Sequence, residues 1–508
     1  MAVAAGSQDT TAHPGAASRP ARRDSTWWLL GLVIALGIVV RFPTLNQQSF
    51  WYDEAATWRI VAHGLGHVFA TVPQTESTPP LYYVLLWVWS RVFGIGEVGL
   101  RSFSAVCSTL TIPVVWLIGR RLVSDRAGLI AALLTAVNPL LFWYAQEARA
   151  YSLLLLFSAV ALLAFVGVLQ APTRGRVLVW SLASALALAT HYYAAVMIVA
   201  EGAYLAIALG RRRLLTPDRI ALGAGPVLAV GAALAPLLVS QNNGRASYIA
   251  TQEGSLPYRI VELAKEDIIG QGQPEKVLLT ALGAAFVLGA LWLLLTKTGP
   301  RSRRAALTMA TVGAGGVAIA IVISLLATDY FDTRNLMATW PPLLLVVAIG
   351  LAAARARRVG ALLTAGLVVL SLVCVWNIVS IPRFQRPNWR GAVQAMGSGP
   401  TPRAIVTDLQ SEIPLTPYLR RLAVYPAAGE PVREVDLIWL WRASQWGPLG
   451  PITPRPLAGF APPQVIRTSS YVVLRYRAAR PQPESAATLN ALYPLASRAL
   501  TLVQPAAR

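Results

Sequence analysis

The sequence predicts an α-helical polytopic membrane protein. It has about eleven transmembrane helices, a large first outer loop carrying juxtamembrane helices, and a small C-terminal mixed α/β extracytoplasmic domain. Three observations predict this. Of 508 residues, 55% are hydrophobic and only 13% charged, whereas soluble domains are nearer a quarter charged. Apolar stretches of about 20 residues, enough to cross a bilayer core, recur from residue 26 to 380. Basic clusters separate alternate pairs of these stretches, as cytoplasmic loops do.

The net charge of +21 is almost entirely arginine, with lysine only at Lys265, Lys276 and Lys297. These charges sit between apolar segments, which argues against a nucleic-acid partner. Cys107 and Cys374 both fall inside apolar stretches, so neither a disulfide framework nor a cysteine metal site is expected.

In chain order, residues 1–25 are rich in Ala, Gly, Ser and Arg and are expected to be a disordered cytoplasmic N-terminus. The stretch Trp27–Val40 reads as a signal anchor that stays in the membrane, because no cleavage site follows a short apolar core. Spans are expected near 26–42, 98–119, 127–145, 150–169, 177–190, 192–209, 220–240, 277–296, 305–327, 336–354 and 359–380. The basic loops at Arg120/Arg121/Arg126, Arg174/Arg176, Arg211/Arg212/Arg213, Lys297/Arg301/Arg303/Arg304 and Arg355/Arg357/Arg358 then all face the cytoplasm. Counting "PPLYYVLLWVWSRVFG", residues 79–94, as a further span would break that parity. It is short and aromatic, which suits an interfacial or partly re-entrant helix. The same parity requires residues 177–209 to hold two short spans joined at Thr190–His191.

Parity also sorts the polar pieces. Residues 43–97, 146–151, 191–193, 241–276, 329–334 and the tail 381–508 all fall on the outer face. The transmembrane domain is thus residues 26–380, with a first outer loop at 43–97 and an outer loop at 241–276, long enough for a lid or binding loop. The tail turns Pro-rich, with strand-like runs "RAIVTDL", "REVDLIWLWR" and "SSYVVLRYR".

The outer face carries the chemistry. In "SFWYDEAATWRI", Asp53 and Glu54 open a membrane-surface helix, where a carboxylate is favoured by unpaired N–H groups. One of them could accept a proton from an attacking hydroxyl; solvated loop charges are the bland alternative. "QEARAYSL" puts Glu147 and Arg149 at a span boundary, as working groups or as a local ion pair. His63 and His67 have i, i+4 spacing, but Gly64 and Gly66 interrupt the helix and no HExxH pattern exists. His191, followed by Tyr192 and Tyr193, is placed to touch a ligand or bond locally. Arg334 in "DYFDTRNL" runs against the positive-inside trend and suits a phosphate at headgroup depth, with Asp329 or Asp332 as the alternative partner.

Taken together, "DEA", "TPPLYY", "RSFSAV", "NPLLFWYAQEARAYSL", "HYY" and an outer "TRN" resemble the bacterial family 39 glycosyltransferases. These are GT-C membrane enzymes related to protein O-mannosyltransferases and the lipid A aminoarabinose transferase. The resemblance covers residues 26–380 and is strongest over 50–160. It implies a GT-C type fold and transfer of a hexose or pentose, with inversion, from a polyprenyl-phosphate sugar donor. The acceptor would be a protein, lipid or glycan at the outer face of a bacterial plasma membrane. It implies Asp53 as general base with Glu54 beside it, and Glu147, Arg149 and Tyr151 toward the acceptor. Arg334, Lys265, His191 and Tyr192 would be near the donor phosphate. A divalent metal ion, Mg or Mn, would be held by Asp53 and Glu147 where one is used. A transporter or lipid flippase is the alternative, but such proteins place ionisable groups at mid-membrane. A scaffold or receptor working through its tail has little support in that tail's sequence.

Overall fold

The computed structural model describes residues 21–241, 249, 253–399, 402–419, 421–440, 453–494 and 496–505. Most of the N-terminal stretch expected to be disordered lies outside these residues, as do residues 242–248 and 250–252 of the expected loop 241–276. Residues 21–25, assigned to that stretch, are instead helical and form the first turn of α1 (Ala21–Arg41).

The first outer loop folds into three short helices, α2 (Tyr52–Val61), α3 (Leu65–Thr75) and α4 (Leu81–Phe93). With 13 residues, α4 is too short to span, as parity required. His63 therefore precedes α3 rather than sharing a helix with His67, although the two rings still meet edge to face at 4.7 Å. The bundle continues with α5 (Glu97–Leu122), α6 (Asp125–Val137), α7 (Pro139–Ala145), α8 (Tyr151–Gln170), α9 (Arg174–Thr190), α10 (Ala194–Arg211) and α11 (Pro217–Gln241). After the outer helix α12 (Leu256–Ile269) come α13 (Lys276–Lys297), α14 (Pro300–Leu326), α15 (Trp340–Leu351) behind a 3₁₀ turn Thr333–Thr339, and α16 (Arg357–Ser380).

Among the described residues, eight helical segments are long and apolar enough to cross a membrane, or nine when α6 and α7, bent by 55°, are taken as one span. The other two expected spans, α9 with 17 residues and the apolar part of α1, Ser25–Arg41, are shorter than these. The bend has a local cause. The residue before a proline is pushed out of helical geometry, and Asn138 (φ −59°, ψ 127°) ends α6 there. Its Oδ1 then accepts the Leu141 N–H to cap α7, with Pro139 at the first position.

Span packing relies on small residues and a few satisfied polar groups, since lipid tails give apolar side chains no drive to associate. A Cβ on Gly128 would lie 2.5 Å from the Trp116 carbonyl oxygen, and one on Gly119 2.8 Å from the Gly128 Cα, so α5 and α6 touch backbone to backbone. Arg41 is fully buried and donates to Ser108 Oγ and to the carbonyls of Gly37, Ala136 and Thr135, tying α1 to α5 and α6. The span interiors are nearly free of acids; Glu201 in α10 is an exception, accepting from the Trp180 indole at 2.7 Å.

Beyond α17 (Trp389–Met396) the chain forms the expected mixed α/β domain. Its six-stranded sheet comprises β1 (Arg403–Asp408), β2 (Ala423–Val424), β3 (Glu430–Leu440), β4 (Gln464–Arg467), β5 (Tyr471–Glu484) and β6 (Ala499–Gln504), in the order β2-β6-β1-β3-β5-β4. Among the described residues, only β1 and β3 pair in parallel. The three strand-like runs became β1, β3 and β5; the short strands β2 and β4 had no comparable signal.

The α5–α6 contact leaves no room for a side chain. Gly128→Val should therefore cost about 1–3 kcal/mol, read as a lowered thermal unfolding midpoint of the detergent-solubilised protein; an unchanged midpoint would mean the helices do not meet here.

Candidate active site

Three segments expected on the outer face converge: the start of α2, the junction between α7 and α8 (residues 146–150), and the 3₁₀ turn before α15. Asp53 and Glu54 are neighbours on the first turn of α2 but have different surroundings. Glu54 is fully buried and binds Arg101 of α5 through two bonds, 2.7 Å from Nε and 2.5 Å from Nη2. Its Oε1 also accepts the Ala148 N–H at 2.9 Å, reaching the α7–α8 junction. Burial raises the Glu54 carboxyl, but the Arg101 guanidinium outweighs it, with help from Arg386 and the Ala148 N–H, and holds the group below its usual range.

Asp53 is held differently. Its side chain is 25% exposed and faces Arg334, 21% exposed, across 3.9 Å. That is too far for a hydrogen bond. The Arg334 Nε instead pairs with Asp332 at 3.1 Å, while Asp329, the other alternative partner, binds Arg259.

Glu147 and Arg149 do not pair with each other. Arg149 reaches back to Glu76 at the end of α3 (2.9 Å) and to Thr57 Oγ1 (3.3 Å). Glu147 pairs with Arg386, which comes from the segment linking α16 to the outer domain (2.9 Å). Burial pushes the Glu147 carboxyl up to about 7 against the pull of Arg386, and the charges of Glu54 and Asp53 add to the rise. Its Oε1 is buried with no hydrogen-bond partner among the described residues.

Around these charges stands an aromatic wall. Tyr144 and Tyr151 meet edge to face at 5.0 Å, and Tyr151 lies 6.0 Å from His191. Burial lowers the His191 imidazole to about 3, with Arg149 and Arg334 adding to the effect, so the ring is neutral at physiological pH. Its Nδ1 accepts the Tyr193 N–H at 3.2 Å, leaving the other nitrogen as the donor. Tyr192 points elsewhere, donating to Gln241 Oε1 at 2.8 Å. Lys265 pairs with Glu262 along α12. On the same helix, Glu266 is pushed up to about 7, first by burial, and faces Thr333 and Asp332 beside Arg334.

The sequence reading thus brought Asp53, Arg334, Tyr151, His191, Glu147 and Arg149 to one place, with Tyr192 and Lys265 in pairs of their own. It missed Arg101, Glu76, Tyr144 and Arg386, whereas Asp332 had been named as the alternative partner of Arg334 and does pair with it. Arg386 had a signal: like Arg334, it is an arginine in a segment expected on the outer face, against the positive-inside trend. Among the described residues no group of three or more His, Cys, Asp or Glu side chains is gathered to hold a metal ion.

Residues 77–238 match the family model described as dolichyl-phosphate-mannose-protein mannosyltransferase. "TPPLYY", "RSFSAV" and "QEARAYSL" lie in that stretch, while Asp53 and Arg334 lie outside it. The fold is similar to that of ArnT from Cupriavidus metallidurans bound to undecaprenyl phosphate, with a TM-score of 0.58 at 16% identity, covering 91% of this chain and 100% of that one. The apo state of ArnT from the same organism gives a TM-score of 0.56 at 16% identity, covering 89% and 98%. No curated protein sequence matches the chain. The GT-C type fold expected from the sequence is the fold found, over the outer domain as well as the bundle.

Removing one partner of a dry ion pair strands the other charge. Arg101→Met should cost about 3–5 kcal/mol, lowering the thermal unfolding midpoint, and adding Glu54→Gln should recover part of the loss. A double variant no more stable than the single one would count against the pair.

Proposed function

We propose that the protein is an inverting glycosyltransferase that moves a sugar from a polyprenyl-phosphate carrier to an acceptor at the outer face of a bacterial plasma membrane. The observation that carries this is the contrast among four ion pairs around the α7–α8 junction. Three of them, Glu54–Arg101, Glu76–Arg149 and Glu147–Arg386, are closed at 2.5–2.9 Å with their side chains at most 11% exposed. Asp53–Arg334 is long and partly open. Substrate charges can compete for this pair and not for the others.

Breaking a sugar–phosphate bond builds negative charge on the leaving phosphate, and a positioned guanidinium stabilises it. Arg334 fits that role because its planar fork can bind two phosphate oxygens. In doing so it would draw away from Asp53, leaving that carboxylate to accept the proton of the attacking hydroxyl. Asp53 is thus the proposed base, on the face of the sugar opposite the phosphate, as inversion requires. Glu54 is proposed to position it through the α2 backbone. Neutral His191, Tyr151 and Tyr144 would line the sugar, and Arg149 and Glu147 the acceptor side. Lys265 and Tyr192 would act at the edge of the donor site. The chain's similarity to ArnT supports a lipid-linked donor, and cytoplasmic nucleotide sugars would not reach an outer site.

Asp53→Asn should reduce sugar transfer by about 10²–10⁴-fold without moving the unfolding midpoint. Activity retained within a few-fold would remove Asp53 as base. Arg334→Ala should raise the KM for the lipid donor by at least about tenfold while changing that for the acceptor little, since one hydrogen-bonded charge is worth roughly 1.5–3 kcal/mol. Equal effects on both substrates would count against a phosphate contact.

A further inference from the structure

At the opposite end of the bundle, a groove of about 1050 Å³ opens between the start of α1, the end of α5, the start of α6 and Arg357 at the start of α16. Its walls include Leu29, Leu32, Leu36, Leu129 and Leu133, and Leu29 and Leu32 are 50% and 66% exposed. Three arginines and one acid, Asp125, also line it. Arg120 is spoken for: it pairs with Asp125 at 2.9 Å and lies over the Trp116 and Trp27 rings at 5.0 and 5.9 Å. Arg126 and Arg357 have no acidic partner within ion-pair distance among the described residues, and Arg126 Nη2 donates to the Arg357 carbonyl at 2.8 Å. Two cationic residues are thus tied together in the lining of an apolar slot, without a counter-charge.

We infer that this groove holds a glycerophospholipid with an anionic headgroup, drawn from the cytoplasmic leaflet. An acyl chain would lie along the leucine wall, and the headgroup phosphate would sit between Arg126 and Arg357, relieving their repulsion. A free anion would leave the apolar wall uncovered, and a zwitterionic lipid would bring no net charge to offset the pair. The inference rests on the topology but not on the transferase chemistry, and binding is read independently of activity.

The full-length chain, purified in detergent, would be incubated with equimolar phosphatidylglycerol and phosphatidylcholine of matched chains and examined by native mass spectrometry. Phosphatidylglycerol should be retained about tenfold over phosphatidylcholine. Arg126→Gln with Arg357→Gln should bring the ratio near one, while Arg303→Gln with Arg304→Gln, on the same face but outside the groove, should leave it unchanged. Should the first double variant fail to fold, Arg357→Gln alone, at an exposed side chain, should lower the ratio about threefold. No preference in the native chain, a preference surviving the groove variants, or equal loss in the control would overturn the inference. Displacement of phosphatidylglycerol by an equimolar polyprenyl phosphate would also overturn it, giving the groove to a carrier lipid.

Discussion

The candidate site is organised by one guanidinium. Arg101 is buried near the outer end of α5, and its N–H groups reach Glu54 and the carbonyls of Leu45, Gln48 and Ser49. A charge so far from water is tolerable only with this complete set of partners. The three carbonyls fix the path of the chain as it leaves α1, and Glu54 fixes the first turn of α2. Because Glu54 also takes the Ala148 N–H, the α7–α8 junction is pinned to the same point. Asp53 makes no comparable bonds of its own; its placement follows from those of its neighbour.

The outer domain is tied into the same arrangement. Ser49 donates to the Pro387 carbonyl and accepts the Trp389 N–H, and Arg386 N–H donates to Gln48 Oε1. Tyr418 of the outer domain donates to Glu97 at 2.7 Å and accepts the Phe50 N–H at 2.7 Å. Residues 48–50 are thus held from the membrane side by Arg101 and from the outer side by the domain. The boundary expected at residue 381 is a change of composition rather than of mechanical continuity, because residues 381–390 reach the candidate site through Arg386.

Most of the expected spans were legible in the sequence because apolar length is a property of local composition. Parity even identified the α9–α10 hairpin and removed residues 79–94 from the span count. Pairing was not legible. Glu147 and Arg149, two residues apart, could be expected to pair, but each is taken by a partner from another segment, Arg386 and Glu76. The Asn138–Pro139 break was present in the sequence, yet hydropathy reads through it, since both halves are apolar. Glu54 shows the same limit: adjacency to Asp53 implied a shared role, whereas the helix turns successive side chains about 100° apart, one toward Arg101 and one toward Arg334.

That divergence bears on how a carboxylate can serve as a base at a membrane surface. Full burial against a tight counter-ion holds one carboxyl, Glu54, below its usual range and leaves another, Glu147, raised, and in both the partner arginine occupies an oxygen a hydroxyl would need. Full exposure would leave water in competition with the acceptor. Asp53 sits between these limits, partly covered and opposed by an arginine at a distance that stops short of a bond. The closed pairs around it keep neighbouring charges from collapsing into that gap, because Arg101, Arg149 and Arg386 are each already committed. Arg334 is itself held through Nε by Asp332 at 3.1 Å, so its pair with Asp53 stays open, and an open pair of opposite charges is the form of site that the proposed phosphate and hydroxyl could divide between them.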